Sequence, residues 1–325
     1  GKAGGRLHPE VSANVPEQRC RGCHGRSGRI TMSFHGVAEV EPTDPRVSGK
    51  TADGRPTTQT EADVHAKAGM TCIDCHVERE LMGTGTQHLH AHEALEVRCA
   101  DCHLPLGPTK TEPDREAVAE VLRRSWLRRG LPPLSTHPIR TLAGTPLVRT
   151  DALARTLLLA TSGEPRKLAL ASTAPYHALR GHERLSCQSC HSTWAPRCRS
   201  CHTTFVPDGL DVDHLSGKAT KGQWLERAGS NGFGPPLLAL GPRGAIEPFV
   251  EGMTMTLMVD AVSATIERTL YAPLDPHTTG KSRTCASCHQ KLEETYPSKG
   301  ELTRLGARLL DDAERARIAR VGLCL

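Results

Sequence analysis

Three segments of the chain show a periodic pattern of apolar positions. In the first, DREAVAEVLRRSWLRRG, apolar residues recur at helical spacing between Asp114 and Gly130, which predicts an amphipathic helix that ends at the glycine and the prolines after it. Its apolar stripe consists of Val118, Val121, Leu122 and Trp126. We interpret this helix as a spacer that packs on the rest of the molecule.

The other two periodic segments lie near the end of the chain. GMTMTLMV, which begins at Gly252, alternates in the manner of a β-strand. SKGE follows later, and its Ser298 and Glu301 fit a capping box. Apolar residues then recur at helical spacing up to Gly322; they are Leu302, Leu305, Leu309 and Ile318. This pattern predicts a closing helix with a structural role.

The apolar content is low for a chain that has to bury a large core of its own. Apolar residues make up 37% of the 325 positions, and the aromatic residues are only 4 Phe, 3 Trp and 3 Tyr. Length alone would predict about two domains. The composition instead indicates that something other than side chains fills part of the interior.

The stretch CQSCHSTWAPRCRSCH (187–202) contains Cys-x-x-Cys-His twice, and the same motif recurs through the chain. In this motif two thiols add to the two vinyl groups of a haem, and the adjacent imidazole becomes the proximal ligand of the iron. The predicted attachment residues are Cys20, Cys23, Cys72, Cys75, Cys99, Cys102, Cys187, Cys190, Cys198, Cys201, Cys285 and Cys288, with the proximal ligands His24, His76, His103, His191, His202 and His289. The sequence therefore predicts six c-type haems, each with its iron, whose porphyrins would supply the missing apolar material.

Two other uses of paired cysteines explain the motif less well. Tetrahedral zinc takes four ligands from two Cys-x-x-Cys pairs and does not require a histidine after each pair. Disulfides do not require the histidine either. One cysteine of the 13, Cys324, is left outside the motifs, and we expect no role for it.

The charge balance changes once haems are included. The polypeptide has a formal charge of +5, and each oxidised haem adds about one negative charge in total, because two propionates outweigh the ferric centre. The expected holoprotein is close to neutral, so no nucleic-acid partner is predicted. Many Arg and Lys side chains are expected to pair with propionates.

The expected location follows from the haem chemistry. No apolar run is long enough for a transmembrane helix, and the opening GKAGGRLHPE does not resemble a signal peptide. Covalent haem attachment takes place outside the cytoplasmic membrane. We therefore expect a mature or trimmed chain in the periplasm, at the cell surface or outside the cell.

The spacing of the motifs predicts one continuous body organised by its haems, mostly irregular coil with short α-helices and little β structure. Its segments are a three-haem part (1–110), a haem-free helical spacer (111–175), a close two-haem pair (176–206), a haem-free insertion (207–276), and the sixth haem with the closing helix (277–325). Only six residues separate His191 from Cys198, and fully extended they span roughly 20 to 25 Å. The fourth and fifth haems are therefore predicted to be near neighbours.

The distal ligands decide what such haems can do. Two strong axial ligands leave an iron suited to electron exchange, whereas an open position lets it bind a small molecule. Besides the six proximal histidines the chain has eleven others, enough for every haem. The predicted distal ligands include His35 and three histidines that lie just upstream of a motif, His65, His182 and His277. The choice of His90 over His88 and His92, and of His182 over His177, is left open by the residues alone.

The segments ADVHAKAGMTCIDCH, RLSCQSCHSTWAPRCRSCHTTF and APLDPHTTGKSRTCASCH together resemble large multihaem c-type cytochromes of anaerobic, metal-reducing bacteria. The resemblance spans about Arg19 to Gln290. It implies haems with histidine on both sides in a conducting chain, and it supports His65, His182 and His277 as ligands. The resemblance also adds His90 and His137 to the predicted distal ligands. A more distant similarity is to filament-forming hexahaem cytochromes, although CHGRSG stands here in place of their Cys-His-Thr-Met-His stretch.

Three functions remain open at this stage. The resemblance favours electron transfer between redox partner proteins or copies of the same chain. An enzyme is the second possibility, a reductase of nitrogen or sulfur oxyanions with one open haem site. The third is a subunit that conducts only within a larger assembly or filament.

Overall fold

The fold is that of a computed structural model, which describes residues 15–24, 30–77, 79–80, 83, 85–88, 91–104, 113–114, 120–171, 175–198, 201–227, 231–259 and 264–320. All statements below refer to these residues.

The described helices are short, and four of them begin at the first cysteine of a motif. They are α1 (Glu17–His24), α2 (Ile30–Phe34), α3 (Val64–Lys67), α4 (Cys72–Cys75), α5 (Cys99–His103), α6 (Glu120–Arg128), α7 (Cys187–His191), α8 (Cys285–His289), α9 (Leu292–Thr295) and α10 (Asp312–Arg320). Single 3₁₀ turns occur at Ala91–Ala94 and Pro175–Ala178.

The described strands fall into two length classes, two to four residues in most of the chain and ten to fourteen in its last third. They are β1 (Val37–Glu39), β2 (Gly49–Lys50), β3 (Pro56–Gln59), β4 (Ile139–Arg140), β5 (Pro146–Leu147), β6 (Thr150–Asp151), β7 (Thr156–Leu158), β8 (Pro165–Lys167), β9 (Ala195–Cys198), β10 (Cys201–Asp213), β11 (Lys218–Arg227), β12 (Asn231–Gly234), β13 (Leu237–Leu240), β14 (Ile246–Val259), β15 (Ala264–Pro273) and β16 (Glu301–Leu302).

Contacts divide the chain into two units, and each unit is made of two separate stretches of sequence. Unit 1 comprises Gly1–Cys23 and His65–His182, and unit 2 comprises His24–Val64 and Glu183–Leu325. Unit 1 therefore contains the second and third motifs complete, together with the cysteines of the first. Unit 2 contains the fourth, fifth and sixth.

Unit 1 is built from hairpins around a small apolar cluster. Strands β4 and β5 pair, and β6, β7 and β8 form a three-stranded antiparallel sheet. Trp126 of α6 packs with Leu134, and Leu131, Val148 and Leu158 lie against them. The indole N–H of Trp126 donates to the carbonyl of Pro132 at 2.6 Å. The bond satisfies the indole N–H, which is the only polar group of the ring and would otherwise be buried without a partner.

Unit 2 is dominated by a six-stranded mixed sheet. Its order is β11-β10-β14-β15-β16, and β13 also pairs with β14. Strands β10 and β14 run parallel, while β11 and β15 run antiparallel to them. Smaller sheets are formed by β1, β3 and β2 and by β9 with β12.

Strand β13 explains how this sheet makes a core. Its four residues Leu237–Leu240 are all buried, and successive side chains of a strand point to opposite faces. Leu237 packs with Phe249 and Tyr271 on one face, and Leu238 packs with Tyr296 and Leu310 on the other. Cys288 of the sixth motif lies against this second cluster, so the motif is anchored on the core of unit 2.

The expectation of a mostly irregular chain with little β structure is wrong. Strand accounts for 30% of the structure and helix for 24%. The region predicted as an insertion, 207–276, contributes the long strands of the large sheet. Pairing between strands far apart in sequence supplies the hydrogen bonds, and a single sequence does not display such pairing.

The three periodic segments have different outcomes. GMTMTLMV lies in β14, which confirms the strand. The first amphipathic segment is helical at Glu120–Arg128, where Trp126 is buried but Leu122 is 36% exposed; residues 115–119 lie outside the described part.

The closing helix is wrong over most of its predicted length, because only Asp312–Arg320 is helical. Glu301 and Leu302 pair instead with Leu270 and Tyr271 as a strand. Gly300 (φ 121°) and Gly306 (φ 77°) have left-handed backbone angles, which a helix through them would not allow.

Candidate functional site

Four of the six motifs fold as a single helical turn. Their sequences CIDC, CADCH, CQSCH and CASCH form α4, α5, α7 and α8. A helical turn brings residues three apart to the same face, so both cysteines of a motif face one side and the histidine follows next to them. This is the arrangement that attachment of one haem through two thiols and one imidazole requires.

The first and fifth motifs are placed differently. The first forms the end of α1, where His24 is exposed and the side chain of Cys23 is outside the described set. In the fifth, Cys198 ends β9 and Cys201 begins β10. The backbone of His202 is paired on both sides, with Arg227 and Thr254. The described backbone of this motif is extended rather than helical, and its Cys and His side chains are not described.

The helical motifs of unit 1 are closed by a buried carboxylate. The backbone N–H of Thr71 donates to Asp74 at 2.8 Å, and that of Arg98 donates to Asp101 at 2.7 Å. Asp74 also accepts the N–H of Ala160 at 2.9 Å and lies 3.3 Å from the guanidinium of Arg149. Its side chain has no exposed surface, so this cap is an enclosed ion pair.

The helical motifs of unit 2 are closed by hydroxyl groups. Ser186 accepts the N–H of Ser189 at 3.2 Å, and Thr284 accepts that of Ser287 at 3.4 Å. The hydroxyl of Ser189 in turn donates to the carbonyl of Ile246 at 2.7 Å. These caps are neutral and need no counter-charge.

Arginines hold the carbonyls of two unit 1 motifs. Arg149 donates to the carbonyl of Ile73 between the cysteines of the second motif. Arg155 donates to the carbonyl of Cys102 in the third at 2.8 Å. Arg155 is the one non-glycine residue in the described part with a positive φ, 50°, a conformation that costs on the order of 1 kcal/mol and persists where surrounding contacts fix it. Sequence reasoning expected such arginines to pair with propionates and did not foresee these backbone contacts.

In each of the four motifs that form a single helical turn, the proximal histidine has its Nδ1 bound. His103 Nδ1 lies 2.9 Å from the carbonyl oxygen of Ala169, His191 Nδ1 lies 3.1 Å from that of Gly280, and His289 Nδ1 lies 2.8 Å from that of Ile318. Binding of Nδ1–H fixes the tautomer in which Nε2 carries the free lone pair. Nε2 is therefore the atom that each ring offers to a metal.

In the second motif the partner of Nδ1 is a carboxylate. His76 Nδ1 lies 2.7 Å from Glu80 Oε2. The other oxygen of Glu80 accepts the backbone N–H groups of Glu96 at 2.5 Å and Val97 at 3.1 Å. Burial by itself raises the pKa of Glu80, but the bonds from His76 and from the two N–H groups together lower it below its ordinary value. Sequence reasoning missed Glu80, although its position four residues after His76 could have indicated a contact with that histidine.

Among the predicted distal ligands, His65 is brought next to a proximal ligand. Its ring centroid lies 5.9 Å from that of His103, with the ring planes at 60°. Two imidazoles bound to the same metal at about 2 Å per bond have centroids about 6 Å apart. The pair therefore fits the axial ligands of one haem iron, and it joins His65 to the third motif rather than to the second, which it precedes in sequence.

The position of His65 is fixed by the end of its helix. The N–H of Met70 donates to the carbonyl of His65 and that of Gly69 donates to Ala66, both at 2.9 Å. Gly69 has φ 84°. This is a Schellman motif, in which glycine takes the left-handed position without strain. Arg166 also donates to the carbonyl of Ala68 at 2.7 Å, so the C-terminal end of the helix that carries His65 is held by a side chain as well as by its own backbone.

The other predicted distal ligands are dispersed. His35 is half-buried after α2, its ring edge against Phe34 at 5.2 Å. His137 is half-buried in a bend whose carbonyl accepts the N–H of Ala152 at 2.8 Å. His182 is half-buried in a turn, and His277 Nδ1 lies 2.9 Å from the carbonyl oxygen of Asp275. His90 lies outside the described residues.

Cysteines of different motifs lie close together in each unit. In unit 1 burial, followed by the charge of Cys20, raises the pKa of the Cys72 thiol to about 12. In unit 2 burial, followed by the charge of Cys288, raises the pKa of the Cys190 thiol. The backbone agrees, because Arg283 just before the sixth motif donates its N–H to the carbonyl of Cys190 at 2.7 Å. The first motif thus neighbours the second, and the fourth neighbours the sixth.

Tyr296 occupies the junction between the fourth and sixth motifs. Its side chain is 2% exposed and packs in the cluster that includes Cys288. Burial, the charge of Cys288 and a hydrogen bond with it raise the pKa of Tyr296. No sequence pattern indicated this residue, because its position between the two motifs depends on the fold of unit 2. The predicted closeness of the fourth and fifth haems stays a prediction, because the side chains of the fifth motif are not described.

Within the described residues no helix is long and apolar enough to span a bilayer. The same residues contain no cluster of three or more His, Cys, Asp or Glu side chains suited to a metal ion. A haem site is not of that kind, since the porphyrin itself supplies four of the ligands of the iron and the protein adds one or two.

The chain matches no protein-family model, no curated protein and no solved structure.

Proposed function

We propose that the chain is a multihaem c-type cytochrome whose function is electron transfer, and that its six motifs each hold one haem. The pair of imidazoles from His65 and His103, with centroids 5.9 Å apart, is the observation that carries the proposal. This distance between the ring centroids is the one expected for two imidazoles that are axial ligands of the same iron. The two histidines come from distant segments, and no requirement of the backbone alone would bring them together.

The bound Nδ1 atoms of His76, His103, His191 and His289 support the same function. Each leaves Nε2 as the available ligand and holds its ring in one orientation. Bound at such sites, haem supplies reversible one-electron exchange between ferric and ferrous iron. The residues contribute by holding the axial ligands in one orientation.

The neighbouring motifs in each unit support a conducting role. Cys20 lies beside Cys72 in unit 1, and Cys190 lies beside Cys288 in unit 2. Motifs in contact would hold their cofactors at short separation. As partners we propose redox proteins or further copies of the chain, and as location the periplasm, the cell surface or the extracellular space, because haem attachment takes place outside the cytoplasmic membrane.

The first measurement is the number and spin state of the haems. Mass spectrometry and a pyridine haemochrome assay of the holoprotein should give six haems per chain, and its electron paramagnetic resonance (EPR) spectrum should be low-spin. A chain matured without any haem would contradict the proposal. A stoichiometric high-spin haem together with turnover of nitrite or hydroxylamine would favour the reductase instead.

A variant then tests the imidazole pair. His65→Ala should convert one haem to a high-spin form while the haem count stays the same, because the iron loses one strong axial ligand. His214→Ala is the control, since His214 is exposed in the β10–β11 turn, and it should leave every haem low-spin. An unchanged EPR spectrum of His65→Ala would remove His65 from the set of ligands.

A further inference from the structure

The second motif differs from the third, fourth and sixth motifs in the charge next to its proximal histidine. His76 Nδ1 faces the carboxylate of Glu80 at 2.7 Å. His103, His191 and His289 face backbone carbonyls at 2.8 to 3.1 Å. The acceptor is therefore anionic in one case and neutral in three.

The carboxylate of Glu80 is held firmly in place. Its side chain is 5% exposed, against 31% for that of His76. While Oε2 faces His76, Oε1 accepts two backbone N–H groups, from Glu96 and Val97. Rotation of the carboxylate away from the imidazole would break one or both of these bonds. Glu80 thus presents a fixed negative charge to Nδ1 rather than an occasional contact.

A carboxylate on Nδ1–H changes what the ring does at its other nitrogen. It attracts the Nδ1 proton more strongly than a carbonyl does, which makes Nε2 a stronger electron donor. A stronger donor stabilises ferric iron relative to ferrous iron, so the reduction potential falls. Low exposure increases the effect because water screens the charge less.

We propose that Glu80 is a positioning residue that makes the haem at Cys72 and Cys75 lower in reduction potential than the haems whose proximal ligands are His103, His191 and His289. The inference rests on the proposed function, since it requires haem at these motifs. A redox titration measures this potential. In it one electron from the reductant converts ferric to ferrous iron, and the proton shared by His76 and Glu80 stays between them.

A purely structural role for Glu80 predicts something different. Its bonds to Glu96 and Val97 also fasten the segment before the third motif. Loss of those bonds would lower stability without selecting one haem. The reduction potential of one identified haem is therefore the readout that separates the two roles.

Glu80→Gln in the holoprotein is the direct test. The amide keeps the size of the side chain and removes the charge. The ferric–ferrous equilibrium constant of this one haem should shift about tenfold toward ferrous iron, which raises its one-electron reduction potential by about 60 mV. The haem is identified by its absence from a variant that lacks Cys72 and Cys75. Glu93→Gln is the matched control, because Glu93 is an exposed acid in the same unit, and it should move no potential.

The wild-type protein provides a second test that does not depend on the variant. A redox titration with resolved signals should place the haem at Cys72 and Cys75 below those of the third, fourth and sixth motifs. A higher or equal reduction potential for that haem, or an unchanged potential in Glu80→Gln, would overturn the inference. The proposed function would still stand if the chain held six haems. Absence of haem from the wild-type chain would overturn both.

Discussion

The attachment helices of the two units have the same backbone turn but are closed by different side chains. In unit 1 the residue before the second cysteine is a buried aspartate, Asp74 or Asp101, which accepts the N–H that precedes the helix. In unit 2 that residue is a serine, and the hydroxyl of Ser186 or Thr284 accepts an N–H inside the first turn. Both solutions satisfy a backbone donor that the helix itself leaves unbound.

The difference lies in what each cap requires from the rest of its unit. A buried carboxylate needs a counter-charge and further donors, which for Asp74 are Arg149 and the N–H of Ala160. Burial lowers the pKa of Arg149, and the charge of Asp74 opposes that effect. A hydroxyl cap needs neither. The second motif, in unit 1, is therefore bound electrostatically to residues far away in sequence. Each hydroxyl cap of unit 2 instead accepts an N–H only three residues further along the chain.

The largest effect is expected from removal of the charged cap. Asp74→Ala leaves Arg149 buried without its partner and strands two N–H groups, so the free energy of unfolding should fall by about 3 to 5 kcal/mol. Urea unfolding of the holoprotein measures it. Glu164→Ala is the control, because Glu164 and Arg166 form an exposed ion pair, worth about 0 to 1 kcal/mol. If both variants lost the same free energy of unfolding, the buried charge of Asp74 would not have the stabilising role described.

A smaller effect is expected from a hydroxyl cap in unit 2. Ser186→Ala removes one acceptor of the Ser189 N–H and should lower the free energy of unfolding by about 1 kcal/mol. The comparison with Asp74→Ala uses the same urea titration. Ser216→Ala, in an exposed turn of the same unit, should have almost no effect. If Ser186→Ala costs as much as Asp74→Ala, the contrast between the two units does not hold.

The smallest effect is expected at the sixth motif. Thr284 accepts the N–H of Ser287 at 3.4 Å, a longer bond than the 3.2 Å at Ser186. Thr284→Ala should therefore cost only about 0.5 kcal/mol, the lower end for such caps. Unfolding curves of the two cap variants measured side by side would show the order. The reverse order would mean that bond length does not rank these caps.

Local features of the site could be predicted from the sequence because they depend on neighbouring residues. In four of the motifs Cys-x-x-Cys-His brings its two cysteines and its histidine together within one helical turn. Glu80 likewise lies only four residues after His76. The alternation that indicated a strand at 252–259 was also local and is found in β14. The helix predicted after Ser298 failed because pairing of Glu301 and Leu302 with β15 replaced it.

The contacts that distinguish one motif from another depend on distant residues. His191 binds the carbonyl of Gly280, 89 residues away, and His103 binds that of Ala169, 66 residues away. A backbone carbonyl exists at every residue, so the sequence does not mark which one a histidine will meet. The same holds for the large sheet, since each residue of β10 that pairs with β14 lies 52 positions before its partner in the chain.

The sequence by itself determined the chemistry available to this protein. It supplied six Cys-x-x-Cys-His motifs, a surplus of histidines and too little apolar side chain for a large core. Only the tertiary structure decided that His65 lies against His103, that the fourth motif meets the sixth, and which backbone carbonyls serve the proximal histidines of the third, fourth and sixth motifs. The physical reason is that covalent spacing fixes local geometry, whereas the environment of each ligand is set by segments that pack together from far apart in the chain.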